Sequence, residues 1–179
     1  SGSSWLQTAG TGCSLGTLAG NAMTIELWAK STAANTEQCL FMLGGSNVYL
    51  SQFTEVPERV VVKGDGTTRC DSYLFYTPPT LEWTHFAFVA SGTTAKLYVN
   101  GTLTCTSTIS TAVYTLNSGI SVGAKSDGSR RFTGHIDEFR IWNAAKTQQQ
   151  LRDGMYSTLV GNEANLKFYL PFDHQVAEL

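Results

Sequence analysis

The stretch Trp83–Thr106, WTHFAFVASGTTAKLYVNGTLTCT, decides how the rest of the chain is read. "THFAFVAS" and "AKLYVNGTLTCT" read as strands, and Asn100-Gly101 lies between alternating apolar residues in the second. Asn and Gly tolerate the positive φ angles that a two-residue hairpin loop demands, so this dipeptide is the strongest short hairpin signal available. The chain is therefore expected to turn back on itself as antiparallel sheet here.

The same pattern recurs outward from the hairpin. "MTIELWAK", Met23–Lys30, alternates cleanly. Ile25, Leu27 and Ala29 fall on one face, and Thr24, Glu26, Trp28 and Lys30 on the other. "CLFML", "NVYLSQF", "RVVVKGDGTT", "SYLFYTPP", "GISVGAK", "HIDEFRIWN" and "LKFYLPF" are further short runs closed by glycine, proline or other turn residues. A series of roughly ten to thirteen strands suggests a sandwich or a barrel. One helix is expected, in "KTQQQLRDGM": Thr147 can cap it, Gln150 completes a capping-box spacing and Gly154 can stop it. No repeat, low-complexity tract or linker divides the chain, so residues 1–179 read as a single domain.

Composition narrows the function classes. Of the 179 residues, 42% are hydrophobic, enough for a sizeable core, and only 15% are charged, against roughly 25% in an average soluble protein. The net charge is −2, with no basic stripe, so nucleic acid and anionic membrane surfaces are poor partners. No apolar run approaches the ~18 residues of a membrane helix, and membrane insertion is not expected. The opening "SGSS" reads as a linker, as in a module cut from a longer protein, though Ser and Gly also begin domains. Cys13, Cys39, Cys70 and Cys105 lack the spacing of a zinc framework. They are expected to form two disulfides in an oxidising compartment, with three connectivities open. Four buried thiols are the alternative.

Several pieces resemble, in order, the concanavalin A-like (laminin-G-like) jelly-roll superfamily, especially its pentraxin-related modules. They are "MTIELWAK", "WTHFAFVASGTTAKLYVNG", "ISVGA", "FTGHIDEFRIWNAAKTQQQLRD" and "LKFYLPFD", spanning Met23 to Asp173. The resemblance implies an all-β protein, a two-sheet antiparallel β-sandwich (jelly roll) with one short helix near the C-terminus. It also implies an extracellular module that binds glycans, proteins or lipids, often with calcium, and it includes glycoside hydrolases.

The adjacent acids Asp137 and Glu138 test the hydrolase option. Neighbouring side chains on a regular strand point to opposite faces. Glycosidase carboxyls must lie about 5 Å apart for retention or roughly 6.5–9.5 Å apart for inversion. The two acids are therefore expected to diverge, no strand shows two acids on one face, and no catalytic residue is assigned. The hydrolases' E.D..E strand is also missing. Glu138 and Arg140 are expected to pair on the surface. The resemblance gives Asp137 a structural role, bonded to backbone amides or helping to hold calcium together with carbonyls near Asp173 or the N-terminal segment. Asp65, Asp71 and Asp127 are further acidic candidates for calcium, but the "GDG" of Asp65 and the "SDG" of Asp127 read first as ordinary tight turns, and no EF-hand loop is present.

Lectin sites combine aromatic faces with a few fixed polar groups. Trp28, outward in mid-strand beside Glu26, is the leading ligand-contact candidate. Tyr49 and Tyr76 follow, with the loop residues Asp127, Arg130 and Arg131. Trp5, Trp83 and Trp142 are assigned to packing. His85, His135 and His174 lack metal spacing. Asn100-Gly101-Thr102 is also a glycosylation sequon. The expected function is a non-catalytic extracellular recognition module whose partner is a glycan. A protein-binding adhesion or spacer domain is the first alternative, and a glycoside hydrolase relative the second.

Overall fold

A computed structural model describes residues 6–7, 18–32, 37–43, 48–53, 59–64, 67–71, 81–109 and 119–172. Among these residues two antiparallel six-stranded sheets pack face to face. The first runs in the order β1 (Leu6–Gln7), β10 (Ile120–Val122), β3 (Glu37–Leu43), β4 (Val48–Phe53), β5 (Arg59–Gly64), β6 (Thr67–Asp71). The second runs β12 (Leu166–Leu170), β11 (Gly134–Trp142), β2 (Ala22–Ser31), β7 (Thr84–Ser91), β8 (Thr94–Val99), β9 (Thr102–Thr108). This is the jelly-roll sandwich that the resemblance implied.

The inward face of each strand forms the core. Ile25, Leu27 and Ala29 of β2 join Phe86, Phe88, Leu97, Val99, Phe139 and Ile141 across the second sheet. Leu40, Phe41, Leu43, Leu50, Ile120 and Val122 face them from the first. Phe41 lies between Phe88 and Phe139, with centroids 6.5 and 6.2 Å away in edge-on geometry, the arrangement that ring quadrupoles favour.

The hairpin forms as expected. Asn100 and Gly101 take φ of 47° and 68°, so the β8–β9 loop has the two left-handed residues of a type I′ turn. Asn100 Oδ1 also accepts from the His85 N–H at 2.9 Å. The helix forms too. α1 spans Gln148–Gly154, and Thr147 and Gln150 make both bonds of the capping box.

The cysteine expectation needs correction. Cys39 is a free thiol, fully buried against Met42 and donating to the Phe41 carbonyl at 3.3 Å. Two disulfides are therefore impossible. Cys105 is disulfide-bonded. Cys13 and the Cys70 side chain lie outside the described residues. An apolar pocket satisfies Cys39 because a thiol behaves as a small hydrophobe, and the same burial pushes its pKa well up.

A buried polar face under a strap

Alternation along β2 predicts a polar face open to water, yet Thr24 and Glu26 are fully buried. The reason is tertiary. Residues 143–158, carrying α1, run across the outer face of the second sheet. Leu151 docks on Ala87, Val89 and Tyr98. Thr24 Oγ1 donates to Ala144 O at 2.7 Å, and Trp28 Nε1 to Met155 O at 2.8 Å. Gln148 Nε2 and Arg152 Nε donate to Gly101 O at the hairpin turn, at 2.8 and 2.9 Å.

Beneath this strap lies a charge cluster centred on Glu26. Its Oε1 accepts from Trp142 Nε1 at 2.7 Å and from Lys146 Nζ at 2.9 Å. Arg140 Nη1 is 3.8 Å from the same oxygen, and His85 Nε2 is 3.4 Å from Oε2. Burial alone would raise the Glu26 pKa. Contact with His85 and the charge of Lys146 outweigh it and hold the carboxyl at about 2. The Lys146 ammonium also sits 3.5 Å over the Trp142 ring, a cation–π position.

Candidate functional site

At one end of the strap a groove of about 440 Å³ opens on the outer face. Trp28, Trp83 and Tyr156 are its aromatic walls, and Asp137, Glu138 and Arg140 its polar groups. Tyr156 is 76% exposed and Trp83 44%. Trp28 is half-buried, with centroids 5.3 Å from both Tyr156 and His85. An open groove with exposed rings beside fixed polar groups can take an amphipathic ring: apolar face on the aromatics, hydroxyls on the carboxylates.

The acids reach the groove through a bulge in β11. Asp137 pairs with Trp28 and Arg140 with Glu26, so Glu138 and Phe139 together oppose the single residue Leu27. Glu138 takes a left-handed φ of 51°. The extra residue restores Phe139 to the core while Asp137, Glu138 and Arg140 all line the groove, the re-aiming of side chains that bulges produce. The expectation that Asp137 and Glu138 diverge is thus overturned, because it assumed an unbroken strand. The expectation of a surface Glu138–Arg140 pair is corrected as well: the pair forms, but Arg140 is fully buried.

The polar groups are heavily tied. Glu138 accepts from Arg140 Nε at 3.1 Å, from Arg140 Nη2, and from Tyr169 Oη at 2.7 Å. Burial and the bond to Glu138 push the Tyr169 pKa up to about 12. Arg140 further donates to the carbonyls of Gly154, at 3.0 Å, and Ser157. Asp137 Oδ1 accepts the Glu138 N–H at 2.9 Å and so braces the bulge. Calcium needs six to eight oxygen ligands. Among the described residues no cluster of three His, Cys, Asp or Glu side chains could hold a metal, and an arginine shares the groove with Asp137. These residues do not fit calcium by themselves. Asp173 lies outside the described residues.

The other sequence candidates scatter. Glu26 is on the expected face but buried beneath the strap, out of reach of a ligand. Asp127 accepts from Ser129 N and Oγ in the β10–β11 loop. Arg130 pairs with Glu37 of β3, and Arg131 Nε donates to Gly128 O. None of these three lines the groove. Tyr76 and the Tyr49 side chain lie outside the described residues, as does Trp5. Trp83, assigned to packing, instead stands in the groove mouth, 6.3 Å from the His135 ring. Trp142 is buried and packs as expected. Sequence reasoning missed Tyr156, which follows the helix and carries no local signal of its own.

A family model for the concanavalin A-like lectin/glucanase superfamily (laminin-G type) matches residues 2–152, and the chain belongs to that family. No curated protein matches the chain. Among solved structures it is similar to a Bacteroides ovatus protein provisionally designated as carbohydrate-binding. The TM-score is 0.71 at 19% identity over 96% of this chain, which spans about half, 49%, of that protein. It is also similar to the heptameric SAP-like pentraxin of Limulus polyphemus, with TM-score 0.68 and 13% identity, over 90% of this chain and 83% of that one. A third similar structure is domain 4 of AbnA, an extracellular GH43 arabinanase of Geobacillus stearothermophilus, solved with arabinotriose. There the TM-score is 0.60 at 24% identity, covering 85% of this chain and 81% of that domain. At these identities the likeness speaks for the fold.

Proposed function

We propose that this chain is a non-catalytic, extracellular carbohydrate-recognition module, and that the groove at the end of the strap is its sugar site. The observation that carries the reading is the pair of exposed rings, Trp83 and Tyr156, flanking fixed carboxylates in one open groove. Family membership and the similarity to sugar-binding structures support it. The ties on Glu138 argue against catalysis: a carboxylate already accepting from arginine and tyrosine has little capacity left to move a proton or attack a carbon. One observation favours a second reading, a glycoside hydrolase relative, because Asp137 and Glu138 do share the groove.

A glycan array on the module, run with calcium and repeated with EDTA, tests the proposal. Saturable binding is expected in both conditions. Trp83→Ala and Tyr156→Ala should each weaken it at least about tenfold, roughly 1.4 kcal/mol. Binding that both variants retain would move the site elsewhere, and binding lost in EDTA would restore calcium to the account. A blank array would favour a protein-binding or spacer module. Release of reducing ends from the bound glycan, abolished in Asp137→Asn, would establish the hydrolase.

A further inference from the structure

A second groove of about 600 Å³ lies on the same outer face, on the other side of the strap. Its floor is the outer face of β7, β8 and β9: Ser91, Thr94, Lys96 and Tyr98, with Leu103 exposed at the rim. The strap residues 145–148 form its wall. Among the described residues no acid lines it, whereas the first groove carries two. Lys146 reaches both the wall and the buried cluster, where Glu26 compensates its charge. Among the described residues Lys96 makes no ion pair, and its alternation with core residues Ala95 and Leu97 turns it outward onto the groove.

We propose that this second groove binds an acidic saccharide unit, a hydroxylated ring bearing a carboxylate or sulfate. Lys96 takes the anion, and the Ser91 and Thr94 hydroxyls take ring hydroxyls. Leu103, exposed at the rim, offers an apolar seat for the ring face. An ammonium with no acid nearby gains most from an anionic ligand, because a charge-assisted hydrogen bond is about twice as strong as a neutral one. The site is separate from the first groove and does not depend on the function proposed for it. The opposite charge of the two grooves predicts that they sort different sugars, or different units of one chain.

Isothermal titration of the intact chain with three oligosaccharides tests this: trigalacturonate, a sulfated galactan oligosaccharide without carboxylates, and its unsulfated counterpart. At least one acidic oligosaccharide should bind, more weakly as salt rises, and which one identifies the anion. Lys96→Gln should weaken that binding about tenfold. Ser91→Glu, which sets a carboxylate on the floor, should abolish it, and Trp83→Ala should leave it unchanged. Lys96 and Ser91 both lie on the outer face, and unchanged thermal melts of all three variants would show that the fold is kept. The proposal is overturned if neither acidic oligosaccharide binds, if Lys96→Gln binds as well as the parent, or if Trp83→Ala removes the binding.

Discussion

Single residues carry strain and charge here that their neighbours cannot absorb. At Gly134, φ is 151° and an added Cβ would lie 2.1 Å from the Lys30 carbonyl oxygen. Backbone cannot step aside as a side chain can. Gly134→Ala is expected to cost roughly 2–4 kcal/mol, read as a fall in the denaturant midpoint. Arg140 is the other sensitive point. Its guanidinium faces both Glu138 and Glu26 while donating to two strap carbonyls. Removing one member of a buried charge cluster leaves the others uncompensated, so Arg140→Ala should destabilise by roughly 3–5 kcal/mol. Because Arg140 also anchors Glu138, sugar binding at the first groove should fall with it. Cys39 should resist a thiol reagent in the native state and react on unfolding, since the reactive thiolate is suppressed by burial. Rapid labelling of the folded chain would contradict this placement.

At the scale of elements, the strap is the informative piece. α1 has only seven residues, too few to be stable alone. It persists because Thr147 caps it and Leu151 is buried under it. Thr147→Ala should therefore cost about 1 kcal/mol, and α1 should be the first element to lose amide-exchange protection. The capping box was legible as Thr147-x-x-Gln150, because a cap is a local arrangement. The β8–β9 turn was legible for the same reason. The β11 bulge was not. Nothing in GHIDEFRIWN marks Glu138 as the inserted residue, since a bulge is defined by what the partner strand offers, here Leu27 against two residues. That single irregularity reverses the sequence conclusion that Asp137 and Glu138 part ways. The strap likewise buries Glu26, which alternation alone left facing outward.

Over the whole molecule, the buried cluster ties both grooves to one carboxylate. Arg140, in the first groove, and Lys146, in the second, both lie against Glu26. The sign of its pH dependence follows from a depressed pKa. Glu26 titrates near 4.5 when unfolded and at about 2 in the fold. The unfolded chain thus binds the proton first, and the stabilisation is complete above about pH 4.5 and lost as pH falls toward 2. Thermal melts should show this loss over that window, and Glu26→Gln should flatten it. A parent whose stability is constant from pH 5 to pH 2 would exclude Glu26 as a charged, buried partner.

The chain's own order of residues determined a series of antiparallel strands, the hairpin and the helix, while the choice of a sandwich over a barrel came from the family resemblance. The strands rest on periodicity, the hairpin on a turn dipeptide and the helix on a capping box, and those are properties of neighbours in sequence. The conjunction of Trp28, Trp83, Tyr156, Asp137 and Glu138 in one groove was decided only by the tertiary structure. It needs a bulge set by strand register, a strap laid across the sheet, and residues more than a hundred positions apart. Which polar residues are reachable was settled there too, because exposure depends on what covers a face, and a sequence records only which face a residue takes.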